Sequence, residues 1–144
     1  MVDVGDKPET AREATAEAFL VVAPATLTAL AEGRGPKGDP IEIARLAAMQ
    51  AAKRTSELVP LCHPLRLSGV EVQIEPAPPD RLRVTARVRA IERTGVEMEA
   101  LTAALVGALT LYDMVKAIDR TATITDGRVC EKRGGKTGDW QRPG

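Results

Sequence analysis

Two stretches of the chain alternate apolar with polar residues, and this period of two is typical of strands with one solvated face. They are residues 70–74 and 82–88, which are close enough in sequence to form a hairpin. A β-favouring run or a short apolar alternation marks the other strand candidates. Three further strands are predicted, at residues 2–4, 12–23 and 121–129.

Three helices are predicted, at residues 24–32, 40–55 and 95–118. The first has helical spacing and is stopped by Gly33. The second begins with strong signals, because Asp39 can cap it, a proline follows in the first turn, and a glutamate lies three residues after the aspartate. The third is the longest and carries an apolar stripe along its length.

The order of these elements is strands, helices, a hairpin, a long helix and a strand, without regular alternation of strand and helix. This order predicts an α+β sandwich in which helices cover one face of a mainly antiparallel sheet. Residues 1–144 fit one domain, since about 100 to 200 residues is the usual size. With one Phe, one Trp and one Tyr, the core must consist of Ala, Val, Leu and Ile.

The longest predicted helix is apolar around most of its circumference. Its main stripe comprises Leu101, Ala104, Leu105, Ala108, Leu109, Tyr112 and Val115. Met98, Val106 and Leu111 lie outside that stripe. Such a helix favours burial on more than one side, so besides its own sheet we expect it to contact another subunit. The chain is therefore predicted to form an oligomer.

Composition and charge narrow the classes of function. Twenty basic residues balance twenty acidic ones, so no overall electrostatic field attracts nucleic acid. Aromatic side chains, on which bases could stack, are scarce as well, so nucleic acid is not the expected partner. No signal-peptide pattern and no apolar run of about 18 residues is evident, which predicts a cytoplasmic chain without a membrane span. Two cysteines and one histidine are too few for a four-ligand zinc site, so no structural zinc is expected.

The single histidine, His63, lies between Pro60 and Pro64. Proline disfavours the α region for the residue before it, so the segment should be extended and the imidazole aimed by the backbone. Neighbouring side chains then point to opposite sides, which makes Cys62 an unsuitable partner for His63. A working histidine and a hydrogen-bonded structural one are both compatible with this pattern.

Asp113 and Lys116 lie three residues apart on the long helix, so their side chains can share one patch. They form a candidate acid/base pair, and the alternative is an exposed ion pair worth about 0.2 to 0.5 kcal/mol. Glu97 and Glu99 begin the same helix, roughly 21 Å from Asp113 at 1.5 Å per residue. One pocket can use both ends only if it combines helices of different subunits. Otherwise the glutamates interact with the helix dipole.

Basic residues occur at three places that suit an anion. Lys37 precedes a predicted helix N-terminus and can bind phosphate or remain solvated. Lys53 and Arg54 near the end of that helix can bind an anion or interact with the C-terminal dipole. Residues 134–137 resemble part of a phosphate-binding loop, but the first glycine is missing and no helix follows. A basic loop that closes over a polyphosphate and an unstructured tail both remain open.

Seven segments, spread over nearly the whole chain, carry motifs of which several are long and unusual. They are residues 1–4, 37–39, 50–55, 61–65, 95–102, 112–117 and 134–139. Together they closely resemble the cyclic pyranopterin monophosphate synthase family, that of the molybdenum cofactor biosynthesis protein C. The resemblance implies a ferredoxin-like α+β fold and a homohexamer built as three dimers, with active sites between subunits.

The resemblance also implies a reaction. The expected substrate is 3′,8-cyclo-7,8-dihydroguanosine 5′-triphosphate, which an S-adenosylmethionine radical enzyme supplies. The expected products are cyclic pyranopterin monophosphate and pyrophosphate, which makes the chain a lyase. The family implies no tightly held metal or cofactor, and leaves open magnesium bound with the triphosphate. A non-catalytic nucleotide-binding or scaffold subunit is the alternative, and an unrelated nucleotide hydrolase is a third.

Individual residues match the family's functional positions. Asp113 and Lys116 match its catalytic pair, and His63, Lys37 and Glu97 complete the predicted catalytic set, in which general acid/base steps typically contribute about 10² to 10⁴-fold. The segments around His63 and Glu97 match those that orient the base and ribose, and several basic residues match positions that hold the triphosphate. The predicted substrate-binding residues are Leu61, Cys62, His63, Met98, Glu99, Arg12, Lys53, Lys132 and Lys136.

Overall fold

The computed structural model describes residues 1–33 and 35–144. These residues form five strands and four helices. In chain order they are β1 (Thr10–Val21), α1 (Pro24–Ala31), α2 (Pro40–Lys53), α3 (Thr55–Leu58), β2 (Leu67–Ala77), β3 (Arg81–Glu92), α4 (Glu97–Val115), β4 (Thr123–Arg133) and β5 (Trp140–Gln141).

The strands form one antiparallel sheet in the order β2-β3-β1-β4-β5. The central pair β1 and β3 is in continuous register from Thr10 opposite Glu92 to Val21 opposite Arg81. Helices α2 and α4 pack on each other and on the sheet. This is the split β-α-β arrangement of ferredoxin-like folds. The predicted α+β class, with helices on one face of an antiparallel sheet, is confirmed.

The core between helices and sheet is built from small side chains. Ala14, Ala16, Ala18 and Leu20 of β1 are fully buried, which fits their alternation along a strand. Helix α4 lies close against the sheet, since a Cβ atom added at Gly107 would lie 2.8 Å from a methyl group of Val84 in β3. Close approach of this kind needs a residue without a side chain.

The helix start that the sequence predicted at Asp39 is confirmed. Its Oδ1 accepts hydrogen bonds from the backbone N–H groups of Ile41 and Glu42, at 3.1 and 3.4 Å. Pro40 occupies the first turn, where its missing N–H costs nothing. This cap fixes where the preceding loop, which carries Lys37, meets α2.

Two predictions of local structure are wrong. Residues 2–4 form no strand, since the chain turns there instead and the Lys7 N–H donates to the Val4 carbonyl. The predicted core stripe of α4 is also incorrect, because Leu105 and Leu109 are 39% and 55% exposed whereas Leu111 is fully buried. Small residues of α4 face the sheet, and this leaves larger apolar side chains on the solvent side.

By length and composition, α4 could cross a membrane, although the sequence pattern predicted no such segment. Half of that stretch is buried inside the fold. The helix packs on α2 and on three strands of the sheet, as the central helix of a water-soluble domain does.

The last strand, β5, lies at the edge of the sheet. It contains the single tryptophan, Trp140, which is 42% exposed. The Arg142 guanidinium lies 5.5 Å from the centre of its indole ring. Trp140 is therefore outside the apolar core.

Candidate active site

Three charged residues form a cluster at the C-terminal end of α4. Asp113 lies in the last turn and Lys116 directly follows the helix. Their side chains meet at 2.8 Å, and Lys37 from the loop before α2 contacts the other carboxylate oxygen at 2.9 Å. All three side chains are about half exposed. We call Lys37, Asp113 and Lys116 the lysine–aspartate cluster.

The cluster fixes the protonation of its members. Hydrogen bonds from Lys116 and then Lys37 lower the pKa of Asp113 to about 2. The hydrogen bond with Asp113 raises the pKa of Lys116 above its usual range. At neutral pH Asp113 is therefore a carboxylate and Lys116 an ammonium. The Lys116 ammonium can donate a proton, and Asp113 holds it in place while making it a weaker acid than a free lysine.

A second set of predicted residues lines a cleft of about 400 Å³ at the other end of α4. We call it the histidine cleft. It brings together the segment around His63, the loop before α4 and the first turn of α4. Its lining residues are Met1, Val2, Val4, Lys7, Leu61, Cys62, His63, Leu65, Thr94, Gly95, Glu97, Met98 and Glu99.

Glu99 is the buried acid of the histidine cleft, with 4% of its surface exposed. Burial, reinforced by the charge of Glu97, raises the pKa of Glu99 to about 7. Its carboxyl group can therefore give or accept a proton near neutral pH. Burial and then the Glu99 charge also raise the pKa of Cys62, so its thiol stays protonated and is no candidate nucleophile.

Two of the predicted phosphate-binding residues lie at the same end of the sheet. Lys132 of β4 is 3.8 Å from Glu97 in the histidine cleft. Arg12 of β1 donates to the carbonyl oxygens of Glu92 and Arg93, at 3.0 and 3.3 Å. Lys132 therefore borders the histidine cleft at Glu97, and Arg12 contacts the residues that precede Thr94 in its lining.

The glycine-rich segment connects β4 to β5 as a tight loop. Gly134 and Gly135 have positive φ, and a Cβ at Gly135 would overlap the Arg12 guanidinium. The Gly134 N–H donates to Asp139 at 3.0 Å, which closes the loop, and Lys136 is exposed upon it. The loop is thus built against Arg12, and no helix follows it, as the sequence predicted.

Lys53 belongs to neither the lysine–aspartate cluster nor the histidine cleft. It ends α2 and borders a different depression, shared with Met49, Leu67 and Val70. Leu65 lines both this depression and the histidine cleft.

Several residues of the cleft were not predicted from the sequence. The N-terminal segment supplies Lys7, which was not singled out, and Thr94 comes from the loop before α4. The signal for the segment was present in the motif at residues 1–4, but a strand was predicted there. Within residues 1–33 and 35–144, no group of three or more His, Cys, Asp or Glu residues could hold a metal ion.

The helix α4 keeps the two sets apart. Glu99 and Asp113 are fourteen residues from each other on a continuous helix, which corresponds to about 21 Å. One chain therefore carries the lysine–aspartate cluster at one end of α4 and the histidine cleft at the other. The helix is continuous between them, as predicted, so the two ends cannot line one small pocket within one helix.

The chain is similar to known proteins over nearly its whole length. The family model described as MoaC family matches residues 1–135. The cyclic pyranopterin monophosphate synthase of Chloroflexus aurantiacus is 55% identical over 144 residues, which cover 99% of this chain and 88% of that protein. The protein of the same name from Brucella ovis is 57% identical over 143 residues, with 97% and 86% covered.

Proposed function

The chain belongs to the MoaC family, and on this basis we propose that it is a lyase of molybdenum cofactor biosynthesis. It converts 3′,8-cyclo-7,8-dihydroguanosine 5′-triphosphate to cyclic pyranopterin monophosphate and releases pyrophosphate. The observation that carries the proposal is the identity of 55% to 57% with synthases of that name over nearly the whole chain. The charged residues that this chemistry needs are clustered at the two ends of α4.

We infer that a second copy of the chain completes the site, because each end of α4 holds only part of it. An exposed apolar stripe joins the ends. Met98, Leu105 and Leu109 are 39%, 39% and 55% exposed and lie along one line of the helix. Lys116 continues the same line seven residues further. Apolar side chains exposed along a whole helix mark an interaction surface.

The stripe favours an antiparallel pair of α4 helices. Glu99 and Asp113 are equally distant from position 106, so a two-fold axis there exchanges the ends of the helices. The histidine cleft of one chain then lies beside the lysine–aspartate cluster of its partner. Each pair contains two such composite sites. Three pairs in a hexamer are the assembly that we propose.

The groups in a composite site suit a reaction made of proton transfers. Lys116 donates protons as an ammonium, held by Asp113, and Glu99 exchanges protons near neutral pH. His63 orients the substrate ring and can share this work. The cationic side chains of Arg12, Lys37, Lys132 and Lys136 hold the triphosphate and stabilise the departing pyrophosphate, with magnesium as a companion of the substrate.

Turnover of the purified protein tests the function. Incubation with the cyclic dihydroguanosine triphosphate should release pyrophosphate and form the cyclic pterin monophosphate, while ordinary GTP should remain unchanged. Binding without products would favour a scaffold subunit instead. Hydrolysis of GTP would identify an unrelated hydrolase.

The cellular setting follows from the same proposal. The substrate is the product of an S-adenosylmethionine radical reaction, so the chain acts directly after an enzyme of that class. Both reactions belong in the cytoplasm. Fractionation of cells that express a tagged chain tests the location.

A further inference from the structure

The carboxylate of Glu92 holds one flank of the histidine cleft. Its Oε1 accepts a hydrogen bond from the backbone N–H of Arg66 at 2.9 Å. Arg66 follows the rigid segment His63-Pro64-Leu65, so this bond anchors the segment that aims the imidazole. A charged acceptor makes the bond stronger than one between neutral groups.

The neighbouring residue, Arg93, holds the opposite flank. Its Nη1 donates to the carbonyl oxygens of Gly5 and Lys7, at 2.7 and 3.1 Å. Residues 1–9 form neither strand nor helix, yet Val4 and Lys7 line the cleft. We call residues 1–9 the N-terminal wall of the cleft. The position of this wall, and of the Lys7 ammonium, therefore depends on Arg93.

The backbone of these two residues is itself fixed. Glu92 ends β3 and pairs with Thr10 of β1. The Arg12 guanidinium donates to the carbonyl oxygens of both Glu92 and Arg93. One rigid point at the end of the central strands thus connects the His63 segment, the N-terminal wall and the arginine expected to bind phosphate. We call Glu92 and Arg93 the β3 clamp.

We propose that the β3 clamp consists of two positioning residues for the reaction, a role that rests on the proposed function. Neither side chain lines the cleft. Glu92 fixes the His63 segment, and Arg93 fixes the N-terminal wall so that the Lys7 ammonium meets the negatively charged substrate. Because Glu92 and Arg93 are adjacent in the chain, they hold the two flanks at a fixed distance from each other.

Hydrogen exchange of the free protein tests the wall directly. In Arg93→Ala, amide exchange in residues 4–9 should accelerate roughly tenfold, because two hydrogen bonds from a charged donor are lost. Arg93→Lys should show an intermediate change. Arg89→Ala is the matched control, since Arg89 lies four residues earlier, on β3, at similar exposure but pairs with Glu13 and Glu71. Exchange that is equal in Arg93→Ala and wild type would overturn the proposal.

Kinetics separate positioning from a general structural role. Arg93→Ala should raise KM roughly tenfold with little change in kcat, whereas global destabilisation would reduce the active fraction and leave KM unchanged. In a Lys7→Ala background, Arg93→Ala should raise KM much less, because Arg93 acts through Lys7. Equal effects in both backgrounds would overturn the assignment.

The two flanks can also be tested separately. Glu92→Gln keeps an oxygen that can accept the Arg66 N–H and should retain most activity, while Glu92→Ala should lower kcat because the His63 segment is released. Equal rates in Glu92→Ala and wild type would contradict this part. If wild-type protein does not turn over the substrate, the proposed function fails, and the exchange experiment still decides whether the clamp exists.

Discussion

At the scale of single residues, the two lysines keep the Asp113 carboxyl group ionised. A carboxylate between two ammonium groups has a pKa of about 2, so it stays ionised at any working pH. The sequence predicted that Asp113 and Lys116 would meet, because residues three apart on a helix are neighbours. Helical spacing could not predict that Lys37 would join them, since 76 residues separate it from Asp113, and only the family resemblance grouped the three residues.

Asp113→Asn tests this arrangement through the pH dependence of the rate. The substitution removes the partner that raises the pKa of Lys116, so the ammonium loses its proton at a lower pH. If Lys116 is the acid, activity falls as pH rises through its pKa. The alkaline limb of the kcat profile should therefore move to lower pH, and kcat itself should fall by about 10² or more. An unshifted alkaline limb would contradict the role of the pair.

Glu99→Gln tests the buried acid through stability. The folded-state pKa of about 7 exceeds the usual value of 4.5, so wild type loses stability as pH rises between these values. The variant lacks this loss. The difference in unfolding free energy, variant minus wild type, should therefore be more positive at pH 8 than at pH 4, by about 1 to 2 kcal/mol. Urea unfolding at both pH values measures it, and a constant difference between the proteins would refute the assignment.

The burial of Glu99 could not be predicted from sequence. A glutamate in the first turn of a helix is usually solvated and stabilised by the helix dipole. Here the segment around Cys62, far away in sequence, lies beside it in the histidine cleft. Only the tertiary structure shows which of the two nearby acids, Glu97 or Glu99, is buried away from solvent.

At the scale of elements, local signals predicted most helices and strands. The cap at Asp39 fixed the start of α2, and alternation found the hairpin of β2 and β3. The orientation of α4 was predicted less well, because leucines and alanines surround it on nearly all sides. Periodicity shows that faces are apolar, while packing decides which face meets the sheet, and close packing selected the alanines and Gly107.

Gly107→Ala should destabilise the fold even though alanine favours helices. The new methyl group would lie 2.8 Å from Val84 and 3.4 Å from Ala48. Overpacking costs about 1 to 3 kcal/mol, and the gain in helix propensity offsets about 1 kcal/mol at most. Chemical unfolding followed by circular dichroism measures the difference.

A second substitution identifies the cause. In a Val84→Ala background the added methyl group has space, so Gly107→Ala should no longer destabilise the protein. A penalty that stays the same in both backgrounds would show that contact with Val84 is not its source.

At the scale of the whole molecule, the order of elements was enough to predict an α+β fold. The order of strands in the sheet was beyond the sequence pattern, since β1 pairs with β4 through residues as distant as Glu13 and Arg133. The same limit applies to the site. Helix length showed that its two parts are separate, and the exposed stripe on α4 became visible only in the folded chain.

Mixed assemblies test whether sites form between chains. His63→Ala and Asp113→Asn damage opposite ends of α4, so each variant alone should be nearly inactive. In a mixed dimer, one composite site carries both substitutions and the other carries neither. Random mixing by joint unfolding and refolding should therefore restore about a quarter of wild-type activity, because half of the dimers are mixed. Mixtures that stay inactive would place both halves of the site within one chain.

The position of Trp140 determines how this protein can be observed. The indole, with Arg142 beside it, lies at the rim of the sheet, whereas the alanine-rich interior contains no comparable chromophore. Its fluorescence will respond when the outermost strand frays or when another molecule covers that rim. Tryptophan fluorescence can therefore report such an event while the core stays folded. It can also underestimate unfolding that begins elsewhere in the molecule.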